Sequence, residues 1–143
     1  MKYKLNELGF MIEPDFHDGN LTGIRTFDTT VELTMQHLFE GTFQVRLVDV
    51  EELQADEFKL GNIVMNVRLT SGNRPTPEDL STLYPGAHPT APPRVHDQHI
   101  EFIERQISRI EQQEVILFQI SASYGCDLSA VCKKVEVQAL KVG

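Results

Sequence analysis

Five histidines, two cysteines and a run of acids are the side chains of this 143-residue chain whose types invite chemistry. His88, His96, Asp97 and His99 form a cluster of candidate metal ligands. His96 and His99 are three residues apart, so on a helix they share a face. Three imidazoles beside a loop can hold zinc through their ring nitrogens. The spacing differs from H-E-x-x-H, where the histidines stand four apart and the Glu serves as base. The plainer reading is a polar loop with ordinary histidines. His17-Asp18 invites an acid–base reading. Sequence-adjacent side chains do not generally face each other, as catalytic pairs must. Asp18-Gly19-Asn20 is strong turn chemistry, with Asp18 bonding backbone amides and Gly19 free to take positive φ.

Cys126 and Cys132 share parity on an extended segment with Leu128 and Ala130, and read as small buried side chains. On one strand they lie ~20 Å apart, too far for a disulfide. A thiol nucleophile needs a base in reach and an electropositive site. Here the neighbours are Asp127, on the opposite parity, and Lys133-Lys134 beyond the end. Ser121 and Ser123 read as strand-end hydroxyls that satisfy backbone groups. No G-x-G-x-x-G, G-x-x-x-x-G-K or G-x-S-x-G motif is present. No catalytic residue and no cofactor is therefore assigned.

Asp49, Glu51, Glu52, Asp56 and Glu57 form an acidic run without a base. Such a run is ordinarily a solvated face, and its sharper reading is a docking patch for a basic protein. It fits the whole: 21 acids against 13 bases give a net charge of -8. Residues 1–70 hold twelve of the acids and six of the bases. This balance argues against nucleic acid, whose phosphates are bound by clustered Lys and Arg.

The elements that must position these residues fall into three zones. In 1–70, Val31, Leu33 and Met35 alternate with polar residues, and so do Phe43, Val45 and Leu47. Leu21, Gly23, Arg25 and Phe27 are expected on one side of a strand, with Thr22, Ile24 and Thr26 on the other. Ile63, Met65, Val67 and Leu69 are expected inward on another strand. Leu53–Phe58 fits a short strand or a helical turn. Residues 71–95 hold six of the seven prolines, which precludes regular pairing. Thr76-Pro77-Glu78-Asp79 still reads as a helix start. In 96–143, Ile100, Ile103, Ile107 and Ile110 make one apolar helical stripe, with Asp97 near the helix start. Val115–Ser123 is a central strand covered on both faces. Cys126–Cys132 and Val135–Ala139 complete the sheet. The expected fold is α+β or mainly β. It is an antiparallel sheet of about seven strands, a sandwich or partial barrel, packed with one long helix. The chain reads as a single domain, 1–143, in which 71–113 is a Pro-rich loop plus helix insertion.

Asn6, Glu7, Glu13 and Asp15 interrupt the apolar run a signal peptide requires, and no membrane-length segment appears. With two thiols, the cytoplasm is the expected compartment.

Phe16-His17-Asp18-Gly19-Asn20-Leu21 resembles the opening of a loosely defined group of small, uncharacterised bacterial domains. Some of these are classed as immunity proteins of polymorphic toxin systems. Ile120–Leu128, containing Ser121-Ala122-Ser123-Tyr124-Gly125-Cys126, resembles their closing hairpin, with Cys132 and Val135-Glu136-Val137 after it. Val48–Leu53 and Asn62-Ile63-Val64 are similar to their middle. Residues 71–113 depart from the pattern. The resemblance implies a non-enzymatic protein that binds and blocks a toxin, and carries no catalytic residues with it. The leading expectation is thus a protein-binding module for a basic partner, with no membrane and no nucleic acid, as a monomer or a homodimer paired through Val135–Ala139. The alternatives are a metal-binding or hydrolytic protein centred on His88, His96 and His99, or a small-molecule binder.

Overall fold

The computed structural model describes residues 2–140. A short hairpin, β1 (Lys4–Leu5) and β2 (Met11–Glu13), leads into β3 (Asn20–Phe27), β4 (Thr30–His37) and β5 (Gly41–Val48). Then come β6 (Glu52–Asp56), β7 (Ile63–Thr70), the helices α1 (Pro77–Leu80) and α2 (Pro93–Glu111), and finally β8 (Ile116–Tyr124), β9 (Asp127–Cys132) and β10 (Lys134–Ala139). Eight of these strands form one antiparallel sheet in the order β10-β5-β4-β3-β7-β8-β9-β6. The fold is mainly β, as the alternation predicts.

The sheet is two four-stranded halves joined narrowly. Long ladders tie β10, β5, β4 and β3, and others tie β7, β8, β9 and β6. Between the halves, β3 and β7 share the single register pair Asn20↔Ile63. One core fills the space between them, with Leu33, Val45 and Leu47 from one half and Val67, Phe118 and Ala130 from the other. Opposite the β3–β7 joint, β5 bends through 49–51 into β6, and β9 bends through Lys133 into β10. These two paths bond to each other: the Lys133 N–H donates to the Val48 carbonyl (3.0 Å) and the Glu51 N–H to the Val131 carbonyl (2.8 Å). The bent ribbon turns the corner between the halves, as in sandwiches whose strands switch sheets. β6 and β10 remain edge strands, so the sheet is not a closed barrel.

Val31, Leu33, Met35, Phe43, Val45 and Leu47 are buried as their alternation requires. The alternation expected for β7 holds at Val67 and Leu69, which are buried, and fails at Ile63 and Met65. Ile63 and Met65 are 39% and 46% exposed, while Val64 and Val67 are buried. The β7–β8 register moves from Val64↔Ala122 to Asn66↔Ser121, leaving Met65 as an extra residue. One such residue reverses which side chains face the core. β3 has the same device between Leu21 and Gly23. Leu21 and the half-buried Ile24 therefore both pack on the core, and Arg25 and Phe27 are exposed. Leu53 resolves as strand and packs against the core from β6.

On the outer face of the first half, register aligns Arg25, Glu32, Arg46 and Glu136 across four strands. Glu32 is buried there, bonded by Arg46 at 3.0 Å and approached by Arg25 at 3.5 Å.

Between β7 and β8 the chain leaves the sheet. Thr76 caps α1 through a reciprocal pair with Asp79, and Pro77 opens it, as its sequence predicts. α2 begins at Pro93, earlier than expected, so Asp97 lies beyond its first turn. Ile103, Ile107 and Ile110 pack with Leu80, Leu83, Leu117 and Val131 in a second cluster. Ile100 does not join them and is 61% exposed. β8 is covered on both faces, with Leu117 toward the helices and Phe118 toward the main core.

Asn62 clamps the narrow joint. It is 1% exposed. Its Oδ1 accepts from the Lys59 and Cys126 amides, at 2.8 and 3.0 Å. Its Nδ2 donates to the Leu21 and Lys59 carbonyls, at 3.0 and 2.8 Å. Its own N–H donates to Asn20 Oδ1 at 2.8 Å. Gly125, at φ 88°, lies against this amide, and a Cβ there would sit 2.5 Å from Asn62 Oδ1. Asn62→Ala strands two donors and two acceptors and is expected to cost about 3 kcal/mol or more. Gly125→Ala, disfavoured by both φ and space, is expected to cost at least about 1 kcal/mol. Urea denaturation of each variant checks both figures.

Candidate functional site

The joint clamped by Asn62 also gathers three connecting segments. Residues 16–20 enter β3, the 57–62 turn enters β7, and Gly125-Cys126 links β8 to β9. Where they meet, Phe58, Leu60, Ile63, Met65 and Tyr124 are all exposed. Ile63 and Tyr124 face each other across the ladder, and Met65 stands out because it is the bulge residue. The Lys59 ammonium lies 5.0 Å above the Tyr124 ring.

His17 borders this surface. Its Nδ1–H donates to the Met65 carbonyl at 2.9 Å, and its Nε2 lies 3.5 Å from Asp18 Oδ2. The two adjacent side chains therefore do meet, contrary to expectation. The positive φ falls on Asp18 (63°), not Gly19, and it turns the carboxylate back toward the ring. Gly19 is needed for space: a Cβ there would stand 2.5 Å from the Gln36 carbonyl oxygen. The Asx-type bond to the backbone comes from Asp15, which accepts from the His17 amide at 3.0 Å. The Met65 carbonyl first, and the Asp18 and Asp15 charges after it, hold the His17 pKa above the ordinary imidazole value. Both side chains are exposed, and no nucleophile contacts the pair among the described residues.

The acidic run does three different jobs. Asp49 (φ 54°) and Glu57 (φ 60°) occupy left-handed turn positions on either side of β6. Glu51 reaches α2, where Arg109 bonds both its oxygens at 2.8 and 2.7 Å. That guanidinium holds the Glu51 carboxyl below its usual range. Asp56 accepts from Gln54 Nε2 at 2.7 Å. Glu52, on the edge strand, makes no ion pair among the described residues and contacts only the neighbouring Leu53 amide. Three of the five acids, Asp49, Glu51 and Glu57, thus serve turns or a strap, while Glu52 and Asp56 lie on the edge strand β6.

The three candidate zinc ligands are dispersed in role. His88 binds Thr90 locally, with Nδ1 2.7 Å from its hydroxyl. His96 and His99 lie on α2, both half-buried. Among the described residues no three His, Cys, Asp or Glu side chains are grouped to hold a metal ion. Both cysteines are free and buried. Burial pushes the Cys132 thiol up to about 12, and burial with the charges of Asp127 and Asp56 raises Cys126. Neither is a thiolate at neutral pH.

Two hollows stand out. A polar one of ≈ 540 Å³ lies along β5 and β10, but its guanidinium, Arg46, is committed to Glu32. An apolar one of ≈ 330 Å³ lies between α1 and α2 and includes His99. Sequence reasoning missed the exposed cluster at the joint, because strict alternation placed Ile63 and Met65 inside. No helix among the described residues is long and apolar enough to cross a membrane. Comparisons with protein-family models, curated proteins and solved structures found no match.

Two measurements follow from this geometry. In NMR titrations His17 is expected to change charge above the pH of a free imidazole. Asp18→Asn lowers that midpoint while leaving it raised, because the Met65 carbonyl remains. Glu51→Gln is expected to lower stability at neutral pH by at most about 1 kcal/mol, since the pair is partly solvated. Glu51 has a depressed folded pKa, so its contribution is complete above the unfolded carboxylate pKa and fades as pH falls through the folded value. Urea unfolding of both proteins across that acid range is expected to show the gap closing.

Proposed function

We propose that this chain is a non-enzymatic protein-binding module, of the immunity type that blocks a toxin by covering it. The observation that carries this reading is the exposed group Phe58, Leu60, Ile63, Met65 and Tyr124, set where the acidic edge strand β6 ends. Protein interfaces combine an apolar, aromatic-rich centre with a polar rim. Large apolar side chains gathered in one place on a surface mark binding sites more often than chance. Glu52, Asp56 and Glu57 precede this centre along the chain and supply the rim. Negative potential beside it selects a basic partner and speeds encounter. The likeness of residues 16–21 and 120–128 to bacterial immunity-type domains points the same way, since both segments border this surface. The cytoplasm is the compartment that suits two reduced, buried thiols.

The test uses the native host. The chain is used to capture a basic partner, and binding of that partner is then compared among variants. Leu60→Asp, at a fully exposed position, is expected to weaken affinity tenfold or more, about 1.4 kcal/mol, chiefly by faster dissociation. Glu52→Lys is expected to slow association at low salt. Unchanged kinetics in both variants would exclude this surface.

A further inference from the structure

The helix α2 is amphipathic by sequence, and its stripe should bury Ile100 with Ile103, Ile107 and Ile110. The last three are buried against α1 and the sheet, but Ile100 is not. It stands on the wall of the ≈ 330 Å³ hollow that α1, the turn after it and α2 enclose. The Tyr84 ring also lines the hollow and is fixed edge-on against Phe102, with centroids 5.0 Å apart. The enclosing parts are held without help from a ligand. The Thr76–Asp79 capping pair shapes α1, and Leu80 and Leu83 root it in the helical core. Arg74 ties the preceding segment to α2 through Glu104 at 2.9 Å and Glu111 at 3.9 Å. Ligand sites are usually such preformed, mostly apolar concavities with a few placed polar groups.

The carboxylates at this hollow are Glu78 and Glu104. They line it together with the imidazole of His99, and no Lys or Arg does. Glu104 is neutralised by Arg74. Glu78 makes no ion pair among the described residues, so its carboxylate is the uncompensated charge at an apolar recess. An apolar body carrying one positive charge complements that arrangement.

We infer that the hollow between α1 and α2 binds a small apolar molecule bearing a protonated amine, of the arylalkylamine class. This site is independent of the surface around Leu60, so the failure of either reading leaves the other standing. The probe is phenethylammonium, titrated into isotope-labelled protein and followed by amide NMR, with 2-phenylethanol as its neutral counterpart. The expected result is saturable shifts centred on Ser81, Gly86, His99 and Ile100, with the amine bound roughly 5-fold more tightly than the alcohol at low salt. Glu78→Gln is expected to erase that preference and keep the apolar binding. Ile100→Lys, at a solvent-exposed position, is expected to abolish binding of both while the remaining spectrum is unchanged. No saturable shift up to about 10 mM overturns the proposal, as do shifts centred elsewhere or equal affinity for the amine and the alcohol.

Discussion

The carboxamide of Asn62 is the contact on which the rest of this structure leans. Its two Oδ1 bonds and two Nδ2 bonds are all made inside the protein, and it sits where the two halves of the sheet share a single ladder pair. A buried amide with every position satisfied holds its surroundings in one arrangement, because any shift leaves a polar group without a partner. Between this joint and the hydrogen-bonded corner opposite it, the halves are held by apolar packing, which is strong but tolerant of sliding. At this joint the hydrogen bonds supply the missing directionality. They also explain Gly125, since no side chain fits beside that oxygen.

The same joint creates the surface to which a function is assigned. Local register shifts at Leu21 and Val64 bend β3 and β7 where they meet. The bulge that brings Val64 and Val67 into the core is what turns Ile63 and Met65 out. The burial of Val64 and the exposure of Ile63 and Met65 are therefore consequences of one inserted residue. The opposite corner is strapped electrostatically. Glu51 leaves the bent ribbon to meet Arg109, and Arg109 also approaches Glu114 at 3.6 Å, linking sheet, helix and the start of β8. The net charge of -8 is in this way only partly a surface property, with Glu32 and Glu51 spent on holding strands and helix.

Much of the fold is legible in the sequence. Clean period-two patterns at 31–35 and 43–47 place those strands and their buried faces. The two-sided apolar run at 115–123 identifies the strand lying between core and helices. Thr76-Pro77-Glu78-Asp79 announces α1, and the isoleucine spacing announces α2. The errors within the strands are all of one kind. Period-two reading carries no knowledge of a bulge, so it turns Ile63 and Met65 the wrong way and assigns Gly23 and Phe27 to the side of Leu21. Helical spacing likewise cannot show that Ile100 extends past the surface available to cover it. His17 and Asp18 meet only because Asp18 adopts a left-handed backbone conformation, which composition does not reveal.

Sequence alone therefore determined the class of fold, the order of its main strands and helices from β3 onward, the buried fate of both thiols and the acidic character of the chain. Each of these depends on residue type and local spacing, which the linear order contains. Only the tertiary structure decided which acids are free, where the exposed apolar group lies and which hollow carries an uncompensated carboxylate. Those outcomes depend on pairings between distant segments, such as Glu51 with Arg109 and Asn62 with Cys126. Such pairings are set by the packing of the whole sheet and by no single stretch of chain.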